Sequence, residues 1–77
     1  MEMHQLAYIV AVAKHQSFTR AADEICLSQS SLSQQIGKLE EELGVRLFDR
    51  TTRSVALTVA GREFVDFAKR ILADVER

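Results

Sequence analysis

From residue 28 the chain reads Ser-Gln-Ser-Ser-Leu-Ser-Gln-Gln, eight residues that carry four hydroxyls, three carboxamides and no charge. Such groups both donate and accept hydrogen bonds. A glutamine carboxamide can bond adenine N6 and N7 bidentately, and a serine hydroxyl suits a base edge or a phosphate oxygen. No acid occurs between Ile25 and Leu39, so a helix starting here keeps its positive dipole end and its free N–H groups available for an outside anion. Lys38, and further on Arg50 and Arg53, add cations. A face of serines and glutamines is also what a merely solvated helix presents, and Ser-Gln-Ser-Ser is compatible with a linker. The stretch by itself leaves these readings open.

Other chemistry finds little material. His4, His15 and Cys26 match no zinc-ligand spacing, and a lone cysteine cannot close an intramolecular disulfide, which fits a reducing cytoplasm. Cys26 reads as a small inert side chain rather than a redox sensor. The serines have no nucleophile elbow around them and the three glycines are scattered at positions 37, 44 and 61, so neither a hydrolytic triad nor a phosphate loop is expected. No metal, no cofactor and no enzymatic activity are expected.

The whole chain is 77 residues with a formal charge of −1, about one small domain and too little for most enzymes. Ten Lys and Arg against eleven Asp and Glu exclude a protein that is basic overall, the simplest electrostatic mark of a nucleic-acid binder. A footprint for phosphate therefore requires uneven placement of charge. With 47% hydrophobic and 27% charged residues, the composition is that of a soluble globular domain. No apolar run approaches the ~18 residues of a membrane span and the first residues do not resemble a signal peptide, so the expected location is cytoplasmic.

Four helices must position these groups. Met3, Leu6, Ile9, Val10 and Ala13 recur at helical steps over residues 3–14. Ser17 is suited to cap a second short helix carrying Phe18, Ala21, Ala22 and Ile25, and Ser28 a third whose Leu32, Ile36, Leu39 and Leu43 form one stripe up to Gly44. Opposite that stripe fall Gln29, Ser30, Ser33, Gln34, Gly37, Lys38 and Glu41. Two capped helices about three residues apart outline a helix-turn-helix. Residues 46–49 and 54–57 are short strand candidates around a polar loop, and Thr58 can cap a last helix with Phe64, Phe67, Ala68, Ile71, Leu72 and Val75 along one face.

Three stretches, SFTRAA at 17–22, LSQSSLSQQIGKLEEELGVRLFDR at 27–50 and LTVAG at 57–61, resemble the amino-terminal domain of LysR-type transcriptional regulators in order and spacing. The resemblance implies a mainly α fold, a winged helix-turn-helix of three helices plus a short β-hairpin wing, followed by a long linker helix. The winged domain would span 1–58, with the helix-turn-helix near 18–37 and the wing near 46–57, and the linker or dimerisation helix 59–77. Implied function is sequence-specific double-stranded DNA binding in a bacterial, nucleoid-associated regulator. The third helix would enter the major groove and the wing would reach the adjacent backbone or minor groove.

Carried over position by position, Gln29, Ser30, Ser33 and Gln34 match base-reading or neighbouring positions. Thr19, Arg20, Ser28, Ser31, Lys38, Arg50 and Arg53 match the cap, backbone or wing contacts. Gln34 stands where many members have arginine, and Gly37 where a long polar side chain is common, so base preference does not transfer directly. Phe64, Phe67, Ala68, Ile71, Leu72 and Val75 resemble an antiparallel dimer contact, with Phe64 divided between its own core and a partner. A homodimer would present two third helices to a pseudo-palindromic site, and a tetramer is open to the full-length protein. The effector-binding domain that senses a small molecule in this family is absent from the chain. A second class of function is a helical protein-interaction module with its last helix as a coiled-coil arm; steep salt dependence of duplex binding separates the two.

Overall fold

The computed structural model describes residues 1–50 and 55–75. Four helices and one hairpin follow in the order α1 (Met3–His15), α2 (Phe18–Glu24), α3 (Gln29–Leu43), β1 (Phe48–Asp49), β2 (Ala56–Leu57) and α4 (Val59–Val75). The strands pair antiparallel, Phe48 opposite Leu57 and Asp49 opposite Ala56. They are shorter than the expected 46–49 and 54–57: at the open end of the hairpin Leu47 C=O still accepts Thr58 N–H, but Leu47 N–H turns to the Glu40 carboxylate instead of crossing to the other strand. Ser54 lies outside the described residues.

The caps expected from the sequence form. Ser17 Oγ accepts Arg20 N–H at 3.1 Å, Ser28 Oγ accepts Ser31 N–H at 3.1 Å, and Thr58 Oγ1 accepts Gly61 N–H at 3.0 Å, each satisfying one orphan donor of a helix start. Gly44 ends α3 at φ 73°, its N–H on Glu40 C=O. Cys26 takes the corresponding left-handed position after α2 (φ 59°), followed by Leu27 N–H on Ala22 C=O at 3.0 Å, the Schellman closure that glycine usually provides. That bond is what makes the α2–α3 turn tight.

Ile9, Val12, Ala21, Leu32, Ile36, Leu39 and Ala68 are wholly buried and form the centre of one core with Leu6, Ala22, Leu47, Phe48 and Val65. Alanines at 21 and 22 let α2 lie close to its neighbours. Met3, expected on the apolar face of α1, is 49% exposed. In its turn the buried residues are Gln5 and Leu6; Gln5 accepts Glu2 N–H at 2.8 Å and donates to Gln35 of α3 at 3.3 Å, which satisfies a buried amide and ties α1 to α3. The core does not stop at residue 58: Gly61, Val65 and Ala68 of α4 are buried in it.

Candidate nucleic-acid interface

Helix α3 turns one side fully inward, with Leu32, Ile36 and Leu39 at 0% exposure. That fixes the rotation of the helix, and so its opposite side is presented rigidly. Gln29, Ser30, Ser31, Gln34 and Lys38 are exposed there, whereas Ser33 and Gly37 are half-buried. Thr19 and Arg20, in the first turn of α2, are exposed as well. The first turn of α3 has no acid, but neither has that of any other helix. An acid-free start therefore does not single α3 out; the uncharged hydrogen-bonding side chains do.

Ser28 differs from its neighbours. Its hydroxyl accepts Ser31 N–H and donates to Ser31 Oγ at 2.8 Å, so its proton and one lone pair serve the cap. Gly37 has open space around the position a Cβ would take, so no close approach within the domain requires glycine there.

The wing carries the second group of cations, and its base is held by a residue whose role the sequence reading missed. Glu40, followed in the sequence by the exposed Glu41 and Glu42, is buried at 6% exposure. Its Oε2 accepts the N–H groups of Leu47 at 2.8 Å and Phe48 at 3.3 Å, and its Oε1 accepts from Arg50 Nη2 at 3.2 Å. Arg50 also lies over the Phe18 ring at 4.8 Å, a cation–π contact, and Phe18 meets Phe48 edge to face at 5.9 Å. Arg50, expected as a backbone or wing contact, is committed to Glu40 and Phe18, with 31% of its side chain exposed. Arg46 Nη1 lies 3.7 Å from the same Glu40 oxygen, a second and longer ion pair that leaves 73% of its side chain exposed. Arg53 lies outside the described residues.

The signal for Glu40 was present in the spacing: it follows Ile36 by four residues and Leu39 by one, at the edge of the leucine stripe. Nothing in the sequence marked Arg46 off from Arg50, because the difference depends on which guanidinium lies closer to the buried carboxylate and is covered with it.

On α4 the apolar face divides. Ala68 is wholly enclosed by its own subunit and so has no surface for a partner, contrary to its place in the expected dimer contact. Phe64, Ile71 and Leu72 are half-buried against the core. Phe67 and Val75 are 45% and 60% exposed, and the Phe64 and Phe67 rings lie 5.9 Å apart. Among the described residues no group of three metal-binding side chains occurs, and no helix is long and apolar enough to cross a membrane.

Known proteins share both sequence and fold. The family described as "Bacterial regulatory helix-turn-helix protein, lysR family" matches residues 3–62. The chain is 47% identical over 77 residues to the transcriptional regulator BenM of Acinetobacter baylyi and 50% identical over 76 to the dual regulator OxyR of Escherichia coli K12. These alignments cover 100% and 99% of this chain but 25% of each relative, so it spans about a quarter of their length. The structure of the BenM DBD complexed with catB site 1 DNA superposes with a TM-score of 0.96 at 47% identity, covering 99% of this chain and 85% of that one. With its profile match spanning most of the sequence and its capped helices, hairpin and fourth helix superposing on such a domain, the chain belongs to the LysR family of bacterial helix-turn-helix regulators.

Proposed function

We propose that this chain is the DNA-reading part of a bacterial transcriptional regulator, binding double-stranded DNA sequence-specifically as a dimer on a pseudo-palindromic site. The observation that carries this is α3: an uncharged, exposed row of Gln29, Ser30, Ser31 and Gln34 with Lys38 beyond it, on a helix locked from behind by three fully buried side chains. Gln29 and Gln34, with Ser30 and Ser33 beside them, are the residues offered to base edges in the major groove. Thr19, Arg20, Ser31 and Lys38 are offered to phosphates, which set position and not sequence. The wing, with Arg46 its most exposed described cation, meets the adjacent backbone or minor groove, and Arg53 belongs with it by its place in the sequence. The domain complexed with DNA in the BenM structure has the same fold, which supports this docking.

Phe67 and Val75 are the exposed apolar residues through which two α4 helices pair, with Phe64, Ile71 and Leu72 flanking them. The activity is binding, without catalysis. Any response to a small molecule lies in the part of the relatives' length that this chain does not span.

Selection of bound duplexes from random sequence, followed by a salt titration on the winner, tests the proposal. The expected result is a two-fold related site whose affinity falls log-linearly with salt, at a slope of about −0.9 for each phosphate contacted. A flat salt dependence, or no enriched duplex, refutes it and favours a protein-binding module.

A further inference from the structure

We infer that Glu40 is a positioning residue for DNA recognition, a carboxylate that locks the wing to the helix lying in the major groove so that the two engage DNA as one rigid unit. The inference rests on the DNA-binding reading above. Four observations meet at this side chain. The main-chain carbonyl of Glu40 closes α3, accepting Gly44 N–H at 2.8 Å and Val45 N–H at 3.2 Å. Its carboxylate then accepts Leu47 and Phe48 N–H, the two donors at the entrance of β1. The same carboxylate holds Arg50 at the exit of β1, and Arg50 in turn lies on Phe18 of α2. A single residue of α3 therefore bonds both ends of a two-residue strand and, through Arg50, connects that strand to the other helix of the helix-turn-helix.

Burial makes the connection stiff. At 6% exposure the carboxylate has little water to turn to, and charge-assisted bonds in such surroundings are about twice as strong as neutral ones. Here two main-chain donors fix where the strand begins and a guanidinium fixes where it leaves. The same carboxylate oxygen lies 3.2 Å from Arg50 and 3.7 Å from Arg46, and Arg46 stays the more exposed of the two, with 73% of its side chain accessible against 31%. Freeing Arg50 would thus raise attraction to any DNA while loosening the geometry that favours the correct one.

The test uses the 77-residue chain, its Glu40→Gln and Glu40→Ala variants, a selected duplex and a random duplex of equal length. Glutamine keeps an oxygen for the Leu47 and Phe48 amides but drops the charge that holds Arg50; alanine removes both. For Glu40→Ala the expected result is rapid hydrogen exchange at the Leu47 and Phe48 amides while those of Ile9 and Val12 stay protected. Affinity for the selected duplex then falls about tenfold or more, equivalent to roughly 1.4 kcal/mol, with random-duplex affinity changed less than about threefold. For Glu40→Gln the two amides stay protected, and the salt slope on random DNA steepens by about one contact as Arg50 is released.

Equal losses on both duplexes, or wild-type discrimination in both variants, overturn the inference. If Glu40→Ala fails to fold, the glutamine variant decides: an unchanged salt slope with unchanged discrimination overturns it. Failure of the wild-type chain to bind any duplex refutes the DNA reading itself, a result separate from the amide exchange, which reports the Glu40 link without DNA.

Discussion

Replacing Gly61 by alanine places a methyl group where the fold has no room. An ideal Cβ on Gly61 would lie 2.0 Å from the carbonyl oxygen of Leu47, 2.9 Å from its carbonyl carbon and 3.0 Å from Leu57 Cδ2. The first two are backbone atoms at the base of the wing, so the clash is relieved only by moving α4 away from β1. That motion stretches the bond from Thr58 N–H to Leu47 C=O, now 3.0 Å. Overpacking of this kind costs about 1–3 kcal/mol and loss of the hydrogen bond about 1 kcal/mol. Against these, alanine gains about 1 kcal/mol of helix propensity over glycine. The net expectation is a loss of about 2 kcal/mol, which for a domain of this size lowers Tm by about 8–16 °C.

The same substitution at Gly37, where a Cβ meets nothing within 4 Å, keeps the propensity gain without the clash and should raise Tm by about 4–8 °C. Thermal unfolding of both variants and the parent at one matched concentration is the assay, matching being needed because self-association shifts Tm. A Gly61→Ala variant as stable as the parent would refute the packing argument. So would two variants that shift in the same direction.

Gln29→Ala should lose about 1–3 kcal/mol of discrimination between a selected and a random duplex, and equal weakening on both would remove Gln29 from base reading. Phe67→Glu, at a position 45% exposed, should convert a dimer to a monomer in sedimentation while leaving the helical spectrum intact; an unchanged mass would reject this face of α4. The carboxyl of Glu24 is held below the usual carboxylate range, chiefly by its hydrogen bond with His15 and next by Lys14. Because its folded value is depressed, its contribution to stability is present above the unfolded carboxyl's range and is lost as pH falls through the folded value. A carboxyl NMR titration should show the Glu24 midpoint rising in His15→Ala, and an unmoved midpoint would deny the contact its role.

Helix starts were legible from single residues, because Ser17, Ser28 and Thr58 each act through a bond that spans only three positions. The stripe of Leu32, Ile36 and Leu39 was legible for the same local reason, and with it the side of α3 that faces out. What sequence spacing could not supply was the pairing of charges across the chain. Ten positions separate Glu40 from Arg50, and their contact depends on how tightly the chain turns at Gly44. Glu40 is thereby set apart from Glu41 and Glu42, its exposed neighbours in the sequence. Ala68 went astray differently: its place on the α4 face is as expected, but a small side chain at that point lets α4 close against its own subunit. The first strand was overextended in the sequence because hydropathy does not reveal that the Leu47 amide is engaged by Glu40, outside the hairpin.

Because Gly61, Val65 and Ala68 seat α4 in the same core that fixes α3, and Ile71 and Leu72 pack against it further along, α4 is held to the domain over most of its length. Its 17 residues extend about 25 Å. Whatever moves the outer end of this helix therefore carries α3 with it as one body.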